Sequence, residues 1–296
     1  MGGALQRRGV SKDDIVALLE ISRACDTLYL HLTGLAREDD AAIVAVLEDV
    51  YECVARVDPS AEVVPLLERC GWDADAVMAL EDRIGDEDHV VTLSLDLEEG
   101  GTFEEGGTEE IEAVGERERT EEDDLSVDKT SVGGTFDRMH AGHRLLLATA
   151  SAVTRSGDLP TVFIGVTGDV LLTNKRHRDL IEPYEVRASK AASFVAKTRP
   201  PTSPLLIECG PLDDGPPLAA TVRDMRALVV SRETLKGGEA IQEARRDAGF
   251  PPLRVCVVGL VKGRAGKGRG DDGKVSSTAL RADAADDRER RRMRGK

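Results

Sequence analysis

"TSVGGTFDRMHAGHRLLLATASAV", residues 130–153, opens as a short β-branched run, passes through two glycines and ends in an apolar helical stretch. That order predicts a strand, a loop and a helix, one βα unit of a parallel sheet. Gly133 and Gly134 let the backbone turn sharply and let a ligand approach exposed N–H groups. Gly142 and His143 then begin a helix whose Leu145, Leu146 and Ala148 can bury against the sheet. A helix start offers unpaired donors and partial positive charge, so an anion, phosphate foremost, is its natural guest. His140 in the turn and His143 in the first helical turn can face the same point, where an imidazole that bonds a phosphoryl oxygen better in the transition state accelerates transfer. On spacing alone a tight turn with locally capping histidines reads as well. HxxH supplies two ligands at most, with no cysteine nearby to complete a zinc set.

Downstream, the apolar runs "PTVFIGV", "SPLLIEC", "MRALVVS" and "PLRVCVV" are separated by helical stretches. Buried parallel strands of a Rossmann-like, doubly wound α/β sheet have this pattern, and such sheets bind ligands where strand carboxyl ends meet helix amino ends. Upstream, Ser11 and Asp14 resemble a capping box ahead of Ile15, Leu18 and Leu19. "TLYLHLTGL", "AEVVPLL" and "HVVTLSLDL" read as strands, and Ile43, Leu47, Val50, Val54 and Val57 recur at helical spacing. A smaller α/β domain is expected over residues 1–97. His31 and His89 lie on its strands without a partner cluster and are expected to be structural or at the surface.

Between Asp96 and Asp124, Asp and Glu are opposed by Arg117 and Arg119 alone, with glycine pairs interspersed. Little apolar area offsets the entropy of ordering there, so residues 98–126 read as a disordered acidic linker. The nucleotide-handling domain then spans 127–284, and a basic tail covers 285–296. A net charge of -15 argues against non-specific binding to nucleic acid or anionic membrane, both themselves negative. Cys25, Cys53, Cys70, Cys209 and Cys256 are odd in number and widely spaced, which fits a reducing compartment better than a disulfide framework. No apolar run reaches membrane-spanning length and the start lacks a long apolar core, so a cytoplasmic location is expected.

"GGTFDRMHAGHR" resembles the GTFD and HxGH signature of the HxGH nucleotidyltransferase superfamily. "VTGDVLLTNKRHRDLIEPYEVR", "VVSRETLKGG" and "KVSSTALR" follow in the order seen in eukaryotic-type phosphopantetheine adenylyltransferases, so that the resemblance covers roughly residues 129–282. It implies transfer of AMP from ATP, carrying Mg2+, to 4'-phosphopantetheine, giving dephospho-CoA and pyrophosphate. It further implies that His143 contacts the α-phosphate, that His140 assists, and that Lys175 neutralises phosphate charge. Gly134, Thr135 and the Phe136 backbone belong to the same nucleotide block, and Thr135 and Phe136 hold the attacking phosphate. Ser231 and Glu233 match positions near adenosine and the phosphates. Ser276, Ser277 and Thr278 can start a helix aimed at the β- and γ-phosphates. Arg187 is expected to bind substrate or to brace the phosphate loop by pairing with Glu185 or another acid, and Arg281 to add charge or sit on the helix face. The phosphate nucleophile is already ionised, which accounts for the absence of a base paired to a nucleophile. "DDGP" at Asp213–Pro216, Gln242 and Lys236 depart from the family pattern and bear on fine specificity. In "VKGRAGKGRG", Val261 stands where a phosphate loop needs glycine and Gly268 follows Lys267, so no kinase activity is expected. A cytidylyltransferase of the same superfamily and a non-catalytic scaffold are the alternative readings, and the sequence leaves the oligomeric state open.

Overall fold

The computed structural model describes residues 15–16, 25–36, 38–95, 127–155, 159–263 and 273–294. The acidic stretch, the capping box and most of the glycine-rich basic stretch at 264–272 lie outside them. The amino-terminal unit runs β1 (Thr27–Thr33), α1 (Asp40–Val57), β2 (Glu62–Leu67), α2 (Ala74–Glu81) and β3 (Asp88–Ser94). Its three strands are parallel in the order β2-β1-β3. The central strand β1 is covered on both faces, so its alternating polar positions are interior too. His31 is accommodated there because its ring lies within 3.3 Å of both the Trp72 carbonyl and the Thr92 hydroxyl.

The second unit runs β4 (Lys129–Gly134), α3 (Ala141–Val153), β5 (Thr161–Thr167), α4 (Tyr184–Lys197), β6 (Leu206–Leu212), α5 (Leu218–Thr221), β7 (Ala227–Ser231), α6 (Leu235–Asp247), β8 (Arg254–Val258) and α7 (Ser277–Arg294). Five parallel strands in the order β6-β5-β4-β7-β8 make the doubly wound sheet read from the sequence. The order reverses at β4, which puts the topological switch point at the "TSVGG" strand. β6 begins at Leu206, three residues later than "SPLLIEC" suggests. α7 runs unbroken through the boundary drawn at 284/285.

The two units share one continuous core. α1 packs along α3, and buried residues of both, among them Val50, Tyr51, Val54, Leu145, Leu147 and Ala148, belong to a single cluster. Polar ties reinforce the seam. Asp40, almost fully buried at the start of α1, pairs with Arg69 at 2.5 Å, Arg254 at 2.7 Å and Arg155 at 3.3 Å. The Trp72 indole donates to the Thr198 carbonyl, and Lys197 pairs with Glu62 at 2.9 Å.

Candidate active site

A cavity of about 1300 Å³ opens at the carboxyl ends of β4, β5, β7 and β8. β4 stays extended through Gly134, so the two glycines are strand residues and not the turn. The left-handed backbone falls on Phe136 (φ 50°) and Arg138 (φ 46°) instead. What Gly134 supplies is room: a Cβ there would meet the Phe136 ring at 3.0 Å, and that ring in turn lies 5.3 Å from the His143 imidazole. Phe136 is fully buried below the cavity floor and is not among the lining residues.

His140 is the N-cap of α3, and its Nδ1 accepts from the Gly142 N–H at 3.2 Å. In a neutral ring an accepting Nδ1 leaves the proton on Nε2, so His140 presents a donor to a ligand. A Cβ on Gly142 would crowd the His140 ring at 3.2 Å. The His140 and His143 rings stack with centroids 3.9 Å apart. Two cations could not stand so close under cover. Burial, with the Arg144 guanidinium adding repulsion, pushes the His140 pKa down to about 3 from 6.5. Burial, then His140 and Arg144, holds His143 well below its ordinary value. Both imidazoles are therefore neutral at physiological pH, and His143 Nδ1 has no partner among the described residues.

The amino end of α3 is less open than the sequence implies. Ala141 N–H donates to the Pro59 carbonyl of the amino-terminal unit at 2.8 Å, and Gly142 N–H is spent on His140. The remaining anion-binding capacity there lies with the His143 amide and the two rings.

Gly134, Thr135, Lys175, Ser231, Glu233, Ser276, Ser277 and Thr278 line the same cavity as the histidines. Lys175 is exposed on the loop after β5. Ser276 caps α7 by accepting from Ala279 N–H at 3.2 Å, and the Ser277 hydroxyl donates to the Asp137 carbonyl at 2.8 Å. Glu233 pairs with Lys274 across the mouth.

Arg187 is placed elsewhere. It is fully buried and donates to the carbonyls of Thr135, Thr167 and Glu182 at 2.8 to 2.9 Å, so it ties the ends of β4 and β5 together from behind the cavity wall. Its acid partner is Asp169, 3.5 Å away, and not Glu185.

Asp137 escapes sequence reasoning. It is fully buried, accepts from Glu182 N–H at 2.9 Å and pairs with the Arg281 guanidinium, itself bonded to the Arg176 carbonyl at 3.1 Å. One carboxylate thus fastens the HxGH loop, the loop carrying Lys175 and the first turn of α7. The signal available was the Asp of "GTFD" and the Arg of "STALR", with nothing local to say that they meet. Among the described residues no group of three or more His, Cys, Asp or Glu side chains could hold a metal ion. No helix among them is long and apolar enough to cross a membrane.

No protein-family model matches the chain. It is 38% identical over 156 residues to a phosphopantetheine adenylyltransferase of Saccharomyces cerevisiae, covering 51% of this chain and 47% of that protein. It is 35% identical over 158 residues to one from Thermococcus gammatolerans and 37% identical over 155 to one from Methanopyrus kandleri. These matches cover 53% and 52% of this chain and 90% and 89% of theirs. The chain therefore spans about half the length of the yeast relative and nearly all of the archaeal ones. A solved protein of unknown function from Archaeoglobus fulgidus is 27% identical with a TM-score of 0.35, covering 44% of this chain and 88% of that one.

Proposed function

The chain belongs to the phosphopantetheine adenylyltransferase family, and from that premise we propose that it transfers AMP from ATP to 4'-phosphopantetheine, releasing pyrophosphate and giving dephospho-CoA, a step of coenzyme A biosynthesis. The observation that carries the reading is the stacked pair His140 and His143 at the amino end of α3, lining one cavity with Lys175 and the serine block at the start of α7. In the proposed step an oxygen of the phosphopantetheine phosphate attacks the α-phosphorus of ATP as the bond to the β-phosphate oxygen breaks. The nucleophile needs no deprotonation, so the protein's contribution is to hold two polyanions in line and stabilise the charge that develops.

Neutral imidazoles suit this task. His140 donates from Nε2 while its Nδ1 stays locked on Gly142, and His143 Nδ1 has no partner among the described residues. Lys175 brings positive charge from the loop after β5, and Ser276–Thr278 offer the start of α7 to the departing pyrophosphate. The Mg2+ belongs to the substrate and arrives on the triphosphate. A cytoplasmic setting fits these soluble substrates.

Purified protein mixed with phosphopantetheine and each nucleoside triphosphate tests the assignment. ATP-dependent pyrophosphate release with formation of dephospho-CoA is expected. Release with CTP alone makes the protein a cytidylyltransferase, and no release with any nucleotide favours a scaffold.

A further inference from the structure

Among the described residues, a side chain of the amino-terminal unit holds a residue of the cavity lining. Glu48, on α1, accepts from the Gly259 N–H at 2.5 Å, directly after β8, and Gly259 lines the cavity. The fit is close: a Cβ on Gly259 would come within 3.1 Å of the Glu48 Oε1.

The segment beyond Gly259 bears on nucleotide binding. Val261 accepts at its carbonyl from Val275 N–H at 3.1 Å, Gly263 N–H donates to Gly273 at 3.2 Å, and Lys262 and Lys274 bridge antiparallel. The chain after β8 and the chain before the serine block therefore form a short two-stranded ribbon. Its far arm ends on Ser276. Val261 and Val275 are buried in the shared core, and a Cβ on Gly263 would lie 3.6 Å from the Ala55 carbonyl of α1. The ribbon thus lies on α1, and Glu48 grips its root.

We propose that Glu48 is a positioning residue for the ATP side of the cavity: its carboxylate sets the Gly259 backbone and, through the ribbon, the serine block, making the amino-terminal unit part of the nucleotide site. The inference rests on the adenylyltransferase reading for placing ATP beside the serine block and for its kinetic arm. Loss of a charge-assisted bond to backbone frees the ribbon root and weakens nucleotide binding, with the reacting groups on α3 untouched.

Full-length Glu48→Ala, Glu48→Asp and Glu48→Gln test it, with ATP binding measured at equilibrium and kinetics measured against each substrate in turn. Glu48→Gln keeps an acceptor of the same length and should bind ATP like wild type. Glu48→Asp keeps the charge but falls short by one methylene, and, with Glu48→Ala, should raise the ATP Kd and KM about tenfold. The phosphopantetheine KM should stay unchanged and kcat within about twofold of wild type. Wild-type ATP affinity in Glu48→Asp and Glu48→Ala overturns the proposal, as does a loss spread equally over kcat and both KM values. If wild type binds ATP but forms no dephospho-CoA, the functional reading fails, and the equilibrium arm still decides the role of Glu48.

Discussion

His140 and His143 show how local chemistry sets a site. An N-cap histidine that accepts from Gly142 has its tautomer fixed by the bond that starts the helix, and the ring stacked on it three residues later is forced neutral by the same enclosure. His143→Ala should lower kcat about 10²- to 10³-fold while the equilibrium Kd for ATP changes a few-fold at most, since the lost bond strengthens in the transition state. A second expectation concerns pH. Both rings have folded pKa values below the unfolded 6.5, His140 at about 3. The unfolded chain therefore takes up protons first as pH falls. This part of the stability is complete above pH 6.5 and is lost on the way down to about pH 3. Denaturant midpoints measured across the acid range should fall with pH, and less steeply in His140→Asn, whose side-chain oxygen can still accept from Gly142.

At the level of elements, loops hold the site and buried charges hold the loops. Asp137 fastens the HxGH loop, the segment at Glu182 and α7, while Arg187 and Arg245 each gather several carbonyls from neighbouring segments. Asp137→Ala leaves the Arg281 guanidinium buried without its counter-charge and should cost about 3–5 kcal/mol, read as a lowered unfolding midpoint. Hydrophobic period and strand length made the βα succession legible in the sequence, because each element's face is recorded in residues two to four positions apart. Gly133 and Gly134 were legible as special but not in kind. The sequence shows that side chains are missing there, and only the Phe136 ring packed against Gly134 shows why.

For the whole molecule the decisive feature is that the amino-terminal unit and the nucleotide sheet bury one core between them. A version of the chain beginning at Val127 exposes the side of α3 that α1 covers and removes Asp40 from Arg155 and Arg254. It should melt well below the full chain and lose cooperativity, checked by calorimetry, where the full chain should show one transition across both units. Asp40→Ala, with three guanidinium partners left behind, should destabilise the intact protein by about 3–5 kcal/mol in the same measurement.

The sequence by itself determined the succession of strands and helices and placed His140 and His143 together at the start of one helix, because periodicity, capping and i to i+3 spacing all act within a turn or two of chain. The switch point at β4 follows instead from the pairing of distant strands. Only the tertiary structure decided that Asp137 meets Arg281, that Asp40 collects arginines from both units, that Arg187 turns away from the cavity, and that Glu48 reaches Gly259. These contacts join segments distant in sequence, and the favourable site for a buried charge exists only once the chain's path has closed around it.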